Sequence, residues 1–392
     1  MIELFVYLNC KLAHLIHRIL LNTIKDKLYK GKAIILTGPR QTGKTTLVRE
    51  ISRFLGDDHL WFNGDDPDVI HTLQNVGLGR LKQVIGEKKC IIIDEAQRIE
   101  NIGLTVKLIT DSLPDVQVIV TGSSAFELSN KMSEPLTGRK WEYMLFPISY
   151  EELVSHHGFL EEAGNLETRL VYGYYPEVVT SIGNERETLK SISDSYLFRD
   201  ILAWQQIRKS DKLENLLRAL AFQVGNEVSY NELSQLVQLD KDTVEKYITI
   251  LEKAYVVFRL PALTRNLRNE IKRSRKIYFY DNGIRNAVIG NFNAIPNRQD
   301  VGALWENFLV SGRFKWNRYH NFWGSSYFWR THAQQEIDYV EEIDGAFQAW
   351  EFKWGLKRKK AFPKSFLSSY SVKETSIITR ENYQDFLLPD MK

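Results

Sequence analysis

The sequence predicts an α/β chain built on a parallel sheet, and three runs of residues carry that expectation. Ala33–Thr37 is a short apolar run that opens into a glycine-rich turn and then a helical pattern. Cys90–Asp94 is a second apolar run, ending in adjacent acids. Val116–Thr121 is a third, ending in small polar residues, and it would lie beside the other two. Short continuous apolar runs alternating with helices are what strands buried on both faces of a parallel sheet require.

The turn after the first run reads Gly38, Pro39, Arg40, Gln41, Thr42, Gly43, Lys44, Thr45, and fits GxxxxGK[ST] at every fixed position. Thr46 and the residues behind it open a helix. Glycines let the main chain curl so that its N–H groups face a phosphate, and the helix N-terminus adds a positive dipole end. Lys44 is expected to bridge the β- and γ-phosphates of ATP, with Thr45 holding Mg²⁺. The second run then supplies the acids. Asp94 is placed to hold Mg²⁺ through water, and Glu95 to orient the attacking water. Ser123, behind the third run, is placed to sense the γ-phosphate. The bland alternatives are an ordinary glycine-rich turn and a strand whose acids mark its solvated end.

At these residues the chain resembles the AAA+-type ATPases of bacteria and archaea whose P-loop reads GPRQxGKTTL, whose Walker B element reads DEAQ, and which end in a domain related to restriction-endonuclease-like folds. The matching positions are Gly38–Leu47, Asp94–Gln97, Thr121–Ser124, Leu136–Arg139 and Phe146–Ser149. The resemblance implies an AAA+-like ATPase core over residues 1–145 and a helical lid over 146–205. It also implies that Arg139, in the Leu-x-Gly-Arg element, reaches nucleotide in cis or from a neighbouring subunit, the latter requiring a homo-oligomer. A surface arginine closing a helix remains the alternative. Gly173 to Pro176 is similar to the Gly-x-Pro turn with which related signal-transduction ATPases contact adenine, which marks Pro176; a plain turn reads equally well.

With 43% hydrophobic and 26% charged residues, the 392-residue chain can bury several cores, as three or four domains would. Cys10 and Cys90 lie far apart in apolar runs and give neither a metal pattern nor a disulfide framework, which points to a reducing, cytoplasmic setting. The apolar start, Met1–Cys10, lacks a positive leader and a small-residue cleavage site, and reads as an amphipathic helix leading into the ATPase. No stretch approaches the roughly 20 apolar residues that span a bilayer, so a membrane is not an expected partner. Net charge is only +3, but residues 265–392 hold 21 Lys and Arg against 14 Asp and Glu. The last third is the basic part.

Gly158, Gly164, Gly173 and Gly183 punctuate short helices between residues 151 and 187. A winged-helix module is expected over residues 206–265. Asn231–Val237 and Asp242–Leu251 read as two helices and Ala254–Leu260 as a strand, the order in which winged helices present a second helix to DNA. Lys241, Asp242, Glu245 and Lys246 on that helix nearly cancel, so DNA reading and a structural or protein-docking role both stand.

Residues 266–392 are read as a separate α/β domain. Leu304–Leu309 forms a helix, Glu336–Glu341 alternates as a strand, and Gln348–Trp354 is another strand with Glu351 and Lys353 on one face. A strand Asp followed on the adjacent strand by Glu-x-Lys resembles the active site of PD-(D/E)xK nucleases, with Glu306 as the helix carboxylate. That resemblance implies a restriction-endonuclease-like fold in which Glu306, Asp338 and Glu351 hold Mg²⁺ and Lys353 activates a metal-bound water. A surface ion pair is the plain alternative. Arg265, Arg268, Lys272, Arg273, Arg275, Lys276 and the run Lys357–Lys360 surround this set, interleaved with Trp305, Trp316, Trp323, Trp329, Trp350 and Trp354. Cations beside rings suit nucleic acid, unless the rings are core. The expectation is thus an ATP-hydrolysing protein that binds DNA and cleaves it if the second site is live. The competing expectation is a regulatory NTPase switch whose C-terminal domain binds protein and is not catalytic.

Overall fold

The computed structural model describes residues 15–122, 136–194, 210–264, 275–331, 333–355 and 361–389. They fall into two compact units. One takes the chain to Ile148 together with Lys253–Tyr255, and the other takes Ser149–Glu252 and Val256 onward.

In the first unit, helix α1 (Ile19–Lys25) precedes an alternation of strands and helices: β1 (Ala33–Thr37), α2 (Lys44–Leu55), β2 (His59–Asn63), α3 (Pro67–Leu73), α4 (Leu78–Ile85), β3 (Cys90–Asp94), α5 (Ile102–Ser112), β4 (Gln117–Thr121) and β5 (Lys140–Met144). The strands form one five-stranded parallel sheet in the order β2-β3-β4-β1-β5. Its three central strands are buried along their whole length, whereas β2 and β5 at the edges are half-buried. Successive side chains point to opposite faces, so burial of both faces explains the unbroken apolar runs. Ala33, Ile35, Ile91, Ile93, Val118 and Val120 share a core with Leu81 and Ile85 of α4 and with Ile102, Val106 and Ile109 of α5. Ile34, Leu36, Ile92 and Ile119, the alternate residues, are also buried. Because β4 pairs with both β1 and β3, the loops leaving all three emerge side by side.

The second unit begins with short helices α6 (Tyr150–His157), α7 (Phe159–Gly164), α8 (Leu166–Tyr172), α9 (Pro176–Thr180) and α10 (Glu185–Ile192). Ser149 and Glu152 close a capping box at the head of α6, and Gly158 ends it at φ 94°. Next come α11 (Ser210–Phe222), β6 (Glu227–Val228), α12 (Tyr230–Val237), α13 (Lys241–Lys253), β7 (Val257–Pro261), β8 (Arg275–Phe279) and α14 (Asn282–Ile289). The helix, turn, helix, strand order of the sequence reading is present as α12, α13 and β7. Strand β8, from beyond residue 265, is the middle strand of the sheet β6-β8-β7, since both neighbours pair with it antiparallel.

The remaining elements are α15 (Val301–Tyr319), β9 (Ser325–Arg330), β10 (Glu336–Ile343), β11 (Ala346–Phe352), α16 (Lys364–Ser369), β12 (Val372–Ile378) and α17 (Tyr383–Leu387). They build a four-stranded sheet, β12-β11-β10-β9, in which only β11 and β12 run parallel. Asp344 and Gly345, both at positive φ, close the tight hairpin between β10 and β11. Several rings expected on a nucleic-acid surface are core. Trp305 is 1% exposed and stacks on Phe308, and Trp350 and Tyr339 pack on Phe386. Trp323, 95% exposed, is the opposite case.

One buried ion pair fastens α15 to this sheet. Arg313 Nε and Nη2 donate to Glu341 Oε1 and Oε2 at 2.9 and 2.6 Å, and Asn317 adds a bond to Oε1 at 2.7 Å. Arg313 Nη1 donates to Phe386 O at 3.0 Å. The guanidinium fork matches the carboxylate, and both groups are out of water. Glu341→Ala should therefore lower the unfolding free energy by about 3–5 kcal/mol, because it strands a buried cation. Replacing both partners, as Arg313→Met with Glu341→Leu, should cost less than the single change, and urea titration of the variants checks both expectations.

Candidate functional site

The phosphate-binding turn joins the end of β1 to the start of α2. Gly38 at φ 145° and Gly43 at φ 91° take backbone conformations that side chains oppose. At Gly38 the reason is also steric: a Cβ there would lie 2.2 Å from Leu145 O. Thr42 Oγ1 donates to Pro39 O at 2.9 Å and holds the turn closed. Lys44 Nζ donates to Gly38 O at 2.9 Å and to Pro39 O at 2.7 Å, so the ammonium lies over the curl of the loop. Burial pushes the Lys44 amine down to about 8, against the opposing pull of Glu95 and Asp94.

The acids converge on the same edge. Thr45 Oγ1 donates to Asp94 Oδ2 at 2.9 Å, which brings the second residue of α2 to the last residue of β3. Asp94 Oδ1 accepts from the Thr121 hydroxyl at the end of β4. That hydroxyl also accepts from Glu95 N at 3.2 Å. Glu95 itself stands at φ 52°, and Gln97 Nε2 holds its carboxylate at 2.5 Å. Gly64 lies against the same turn, where a Cβ would meet Glu95 O at 2.3 Å. A hydroxyl and a carboxylate held together offer a hard, all-oxygen donor set, which fits Mg²⁺ with Thr45 and Asp94 as its holders. The sequence motifs contain Thr121 and Gln97 without assigning them these roles, and Gly64 lies in no motif. Thr121 belongs to the Thr-Gly-Ser-Ser motif, whose Ser123 lies outside the described residues.

Residues 30–154 match a family model described as an AAA domain. The first unit carries a P-loop ATPase domain. Two further models match behind it, residues 163–294 with a domain of unknown function (DUF8612) and residues 301–391 with a domain of unknown function (DUF4143). The chain is 26% identical over 335 residues to the uncharacterized protein Rv2008c of Mycobacterium tuberculosis, covering 84% of this chain and 72% of that one. It is also 26% identical over 263 residues to the uncharacterized protein MJ1544 of Methanocaldococcus jannaschii, covering 60% of this chain and 58% of that one. Among solved structures, the Walker-type ATPase PABY2304 of Pyrococcus abyssi aligns with a TM-score of 0.51 at 14% identity, over 70% of this chain and 96% of that one. This last likeness is one of fold.

Within the ATPase domain, Arg139 stands away from the phosphate loop. β5 runs parallel to β1 with Lys140 beside Ala33 and Met144 beside Thr37, so Arg139 precedes the strand at the edge opposite Gly38. The five residues of β1 set the two edges about 13 Å apart at roughly 3.3 Å per residue. Arg139 is instead ion-paired with Asp111 of α5. Its own phosphate loop is out of its reach, so the cis role is not supported, and the surface arginine and the neighbouring-subunit role both stand. Pro176 opens helix α9 in the second unit, where Tyr174 N donates to Asp281 Oδ2 at 2.7 Å. Gly173 has its reason there too, since a Cβ would meet Asp281 Oδ1 at 2.0 Å.

In the second unit, Asp338, Glu351 and Lys353 come together. Lys353 Nζ lies 3.2 Å from Glu351 Oε2 and 3.9 Å from Asp338 Oδ2. Asp338 sits where the register shifts between Ile337 and Val340, and its carboxylate accepts from Phe352 N at 2.7 Å. Burial would lower the Lys353 amine, but Asp338 and Glu351 outweigh it and hold the pKa above its ordinary value. Glu306 lies within electrostatic range of Asp338 and Lys353, but its direct bonds are to β8. Its Oε1 accepts from Lys276 Nζ at 2.9 Å and from Tyr278 OH at 2.6 Å, both side chains of β8. Lys276 is 1% exposed and also reaches Glu336 Oε1 at 2.7 Å. Burial pushes the Glu306 carboxyl up to about 6, with Lys276 pulling down and Asp338 pushing further up. The structure does not gather Glu306, Asp338 and Glu351 into a three-carboxylate set. Among the described residues no group of three or more His, Cys, Asp or Glu is arranged to hold a metal ion. Lys276 supplies the counter-charge for Glu306, a role sequence reading missed by counting it with the surface cations.

The fit of Gly38 against Leu145 yields a direct expectation for the ATPase domain. Gly38→Ala should destabilise the first unit by about 1–3 kcal/mol, the usual cost of forcing a side chain into such a conformation, and should weaken nucleotide binding as the loop shifts. Denaturant titration with and without ADP measures both effects.

Proposed function

We propose that the chain binds ATP with Mg²⁺, hydrolyses it, and uses the cycle to switch its second unit. The observation that carries this reading is the bonded series Thr45, Asp94, Thr121, Glu95 beside Lys44. Lys44 would span the β- and γ-phosphates, Thr45 and Asp94 would hold the ion, and Glu95 would orient the attacking water. Arg139 would act on the nucleotide of a neighbouring copy, in a homo-oligomer, since its own phosphate loop lies at the far edge of its sheet. The second unit would comprise the helical lid, a winged-helix module and a restriction-endonuclease-like domain, acting in the cytoplasm. Lys44→Ala should lose about 3 kcal/mol of charge-assisted bonding, roughly a hundredfold in ATP affinity. Glu95→Gln should keep ATP bound while turnover falls about 100- to 10,000-fold. Turnover by Glu95→Gln at the parental rate would remove the assignment.

For the second unit, the excess of cations in residues 265–392 supports DNA binding. Against cleavage, Lys276 neutralises Glu306 and Lys353 is ion-paired with both neighbouring acids. We therefore favour a nucleotide-controlled binding domain over a nuclease. The regulatory reading, a protein-binding switch, draws on the same ion-paired cluster. Labelled branched, duplex and single-stranded DNA, titrated over a range of salt with Mg²⁺ and ATP, separates the three readings. Salt-steep binding without nicks is expected. Nicking that disappears in Asp338→Ala and Lys353→Ala would establish the nuclease instead, and absence of salt-sensitive binding would favour the protein-binding switch.

A further inference from the structure

Arg18 lies ahead of the residues that match the AAA domain and immediately before α1. It is 6% exposed, and its guanidinium is spread between two distant main-chain carbonyls. Nη1 donates to Thr42 O at 2.6 Å and Nη2 to Phe146 O at 2.7 Å. Thr42 O belongs to the peptide that joins Thr42 to Gly43. In a trans peptide the C=O and N–H point in opposite directions. A carbonyl drawn toward Arg18 therefore turns the Gly43 N–H away from it. A Cβ built on Gly43 would lie 3.7 Å from Nη1, so the guanidinium lies close against the loop at this residue. The second bond reaches the wall on the other side of the loop. Phe146 follows Leu145, whose N–H donates to Thr37 O at 2.8 Å and whose carbonyl forbids a side chain at Gly38. One planar fork thus ties the end of the turn and, through Leu145, the wall against its start to a single rigid group.

We propose that Arg18 is a positioning residue of the nucleotide site, fixing the Thr42–Gly43 peptide so that the Gly43 N–H is presented to the phosphates of ATP. The proposal rests on the reading of Gly38–Thr45 as an ATP site. A merely structural role would show as lost stability with affinity preserved in the folded fraction. A positioning role requires that affinity for the phosphates fall while the fold stays intact. Lysine retains the charge and the stem, but a single ammonium cannot reproduce the two-pronged geometry that reaches both carbonyls.

The test uses the full chain as Arg18→Lys and Arg18→Ala, with a fluorescent ADP as reporter, displaced by ATP or by inorganic tripolyphosphate. Thermal melting without nucleotide is recorded in parallel. Arg18→Lys should melt close to the parent yet bind both ATP and tripolyphosphate about tenfold more weakly, the equivalent of one charge-assisted hydrogen bond. KM for ATP should rise by more than kcat falls. Parental affinity in both variants would overturn the proposal, and so would failure of both to fold, because Arg18 would then serve the fold rather than the loop. Should the parent itself bind neither ADP nor ATP, the ATP-site reading falls and takes this proposal with it. The parent control makes that outcome distinct from a failure specific to Arg18.

Discussion

Placing β4 between β1 and β3 decides what the nucleotide edge can do. A phosphate loop alone binds an anion; to act on it, acids must be held at a fixed distance from the loop, and the backbone of neighbouring strands supplies that distance. Here the parallel register leaves β1, β3 and β4 ending together. Thr121 then bridges the two carboxylate residues, donating to Asp94 and accepting from the Glu95 amide. One hydroxyl sets the pose of the acid nearest Thr45 and the turn on which Glu95 stands. The unusual backbone of Glu95 is sustained by that bond and by Gly64, whose lack of a side chain lets a neighbouring turn approach.

The two buried lysines show how partner chemistry decides a lysine's character. Lys44 and Lys276 are both almost wholly buried, and desolvation opposes the charged form of each. Lys44 has carbonyl oxygens in direct contact and only more distant help from acids, so its pKa falls to about 8. Lys276 touches two carboxylates, and their attraction outweighs the burial, raising its pKa above the ordinary value. A cation held by dipoles is open to anionic phosphate, which offers far more charge than carbonyls do. One already neutralised by carboxylates is a structural counter-ion.

Much of the first unit was legible because its constraints act on residue type. Only glycine suits φ 145° beside Leu145 O, and only apolar side chains suit strands covered on both faces, so Gly38 and the central strands announce themselves. Arg18 was not legible. Its acceptors are main-chain carbonyls, which belong to every residue and leave no mark at positions 42 or 146. Thr121 was overlooked for a related reason, since which member of a Thr-Gly-Ser-Ser run faces Asp94 is settled by where β4 ends. In the second unit, the helix and the strands around Glu306, Asp338 and Glu351 were read correctly as elements. Burial was harder: Lys276 stands in a basic stretch that looks solvated, but β8 is the middle strand of its sheet, and Lys276 and Tyr278 on it turn toward Glu306.

Spacing also explains why a Glu-x-Lys motif carries less information than a phosphate loop. Period two guarantees that Glu351 and Lys353 share a face of β11, and pairing brings Asp338 of β10 beside them. Nothing in that arithmetic directs a helix carboxylate. Glu306 is drawn to β8 because an ammonium and a phenol there satisfy it, and a cation between Glu306 and Asp338 would have to compete with Lys276 for that carboxylate. At pH values above about 6 the Glu306 carboxylate is ionised and that competition is strongest. Below that, protonation weakens the bond to Lys276 but also removes a ligand any metal would need. Neither direction of pH favours assembly of a metal site, so the ammonium acts as the fixed positive charge of this cluster.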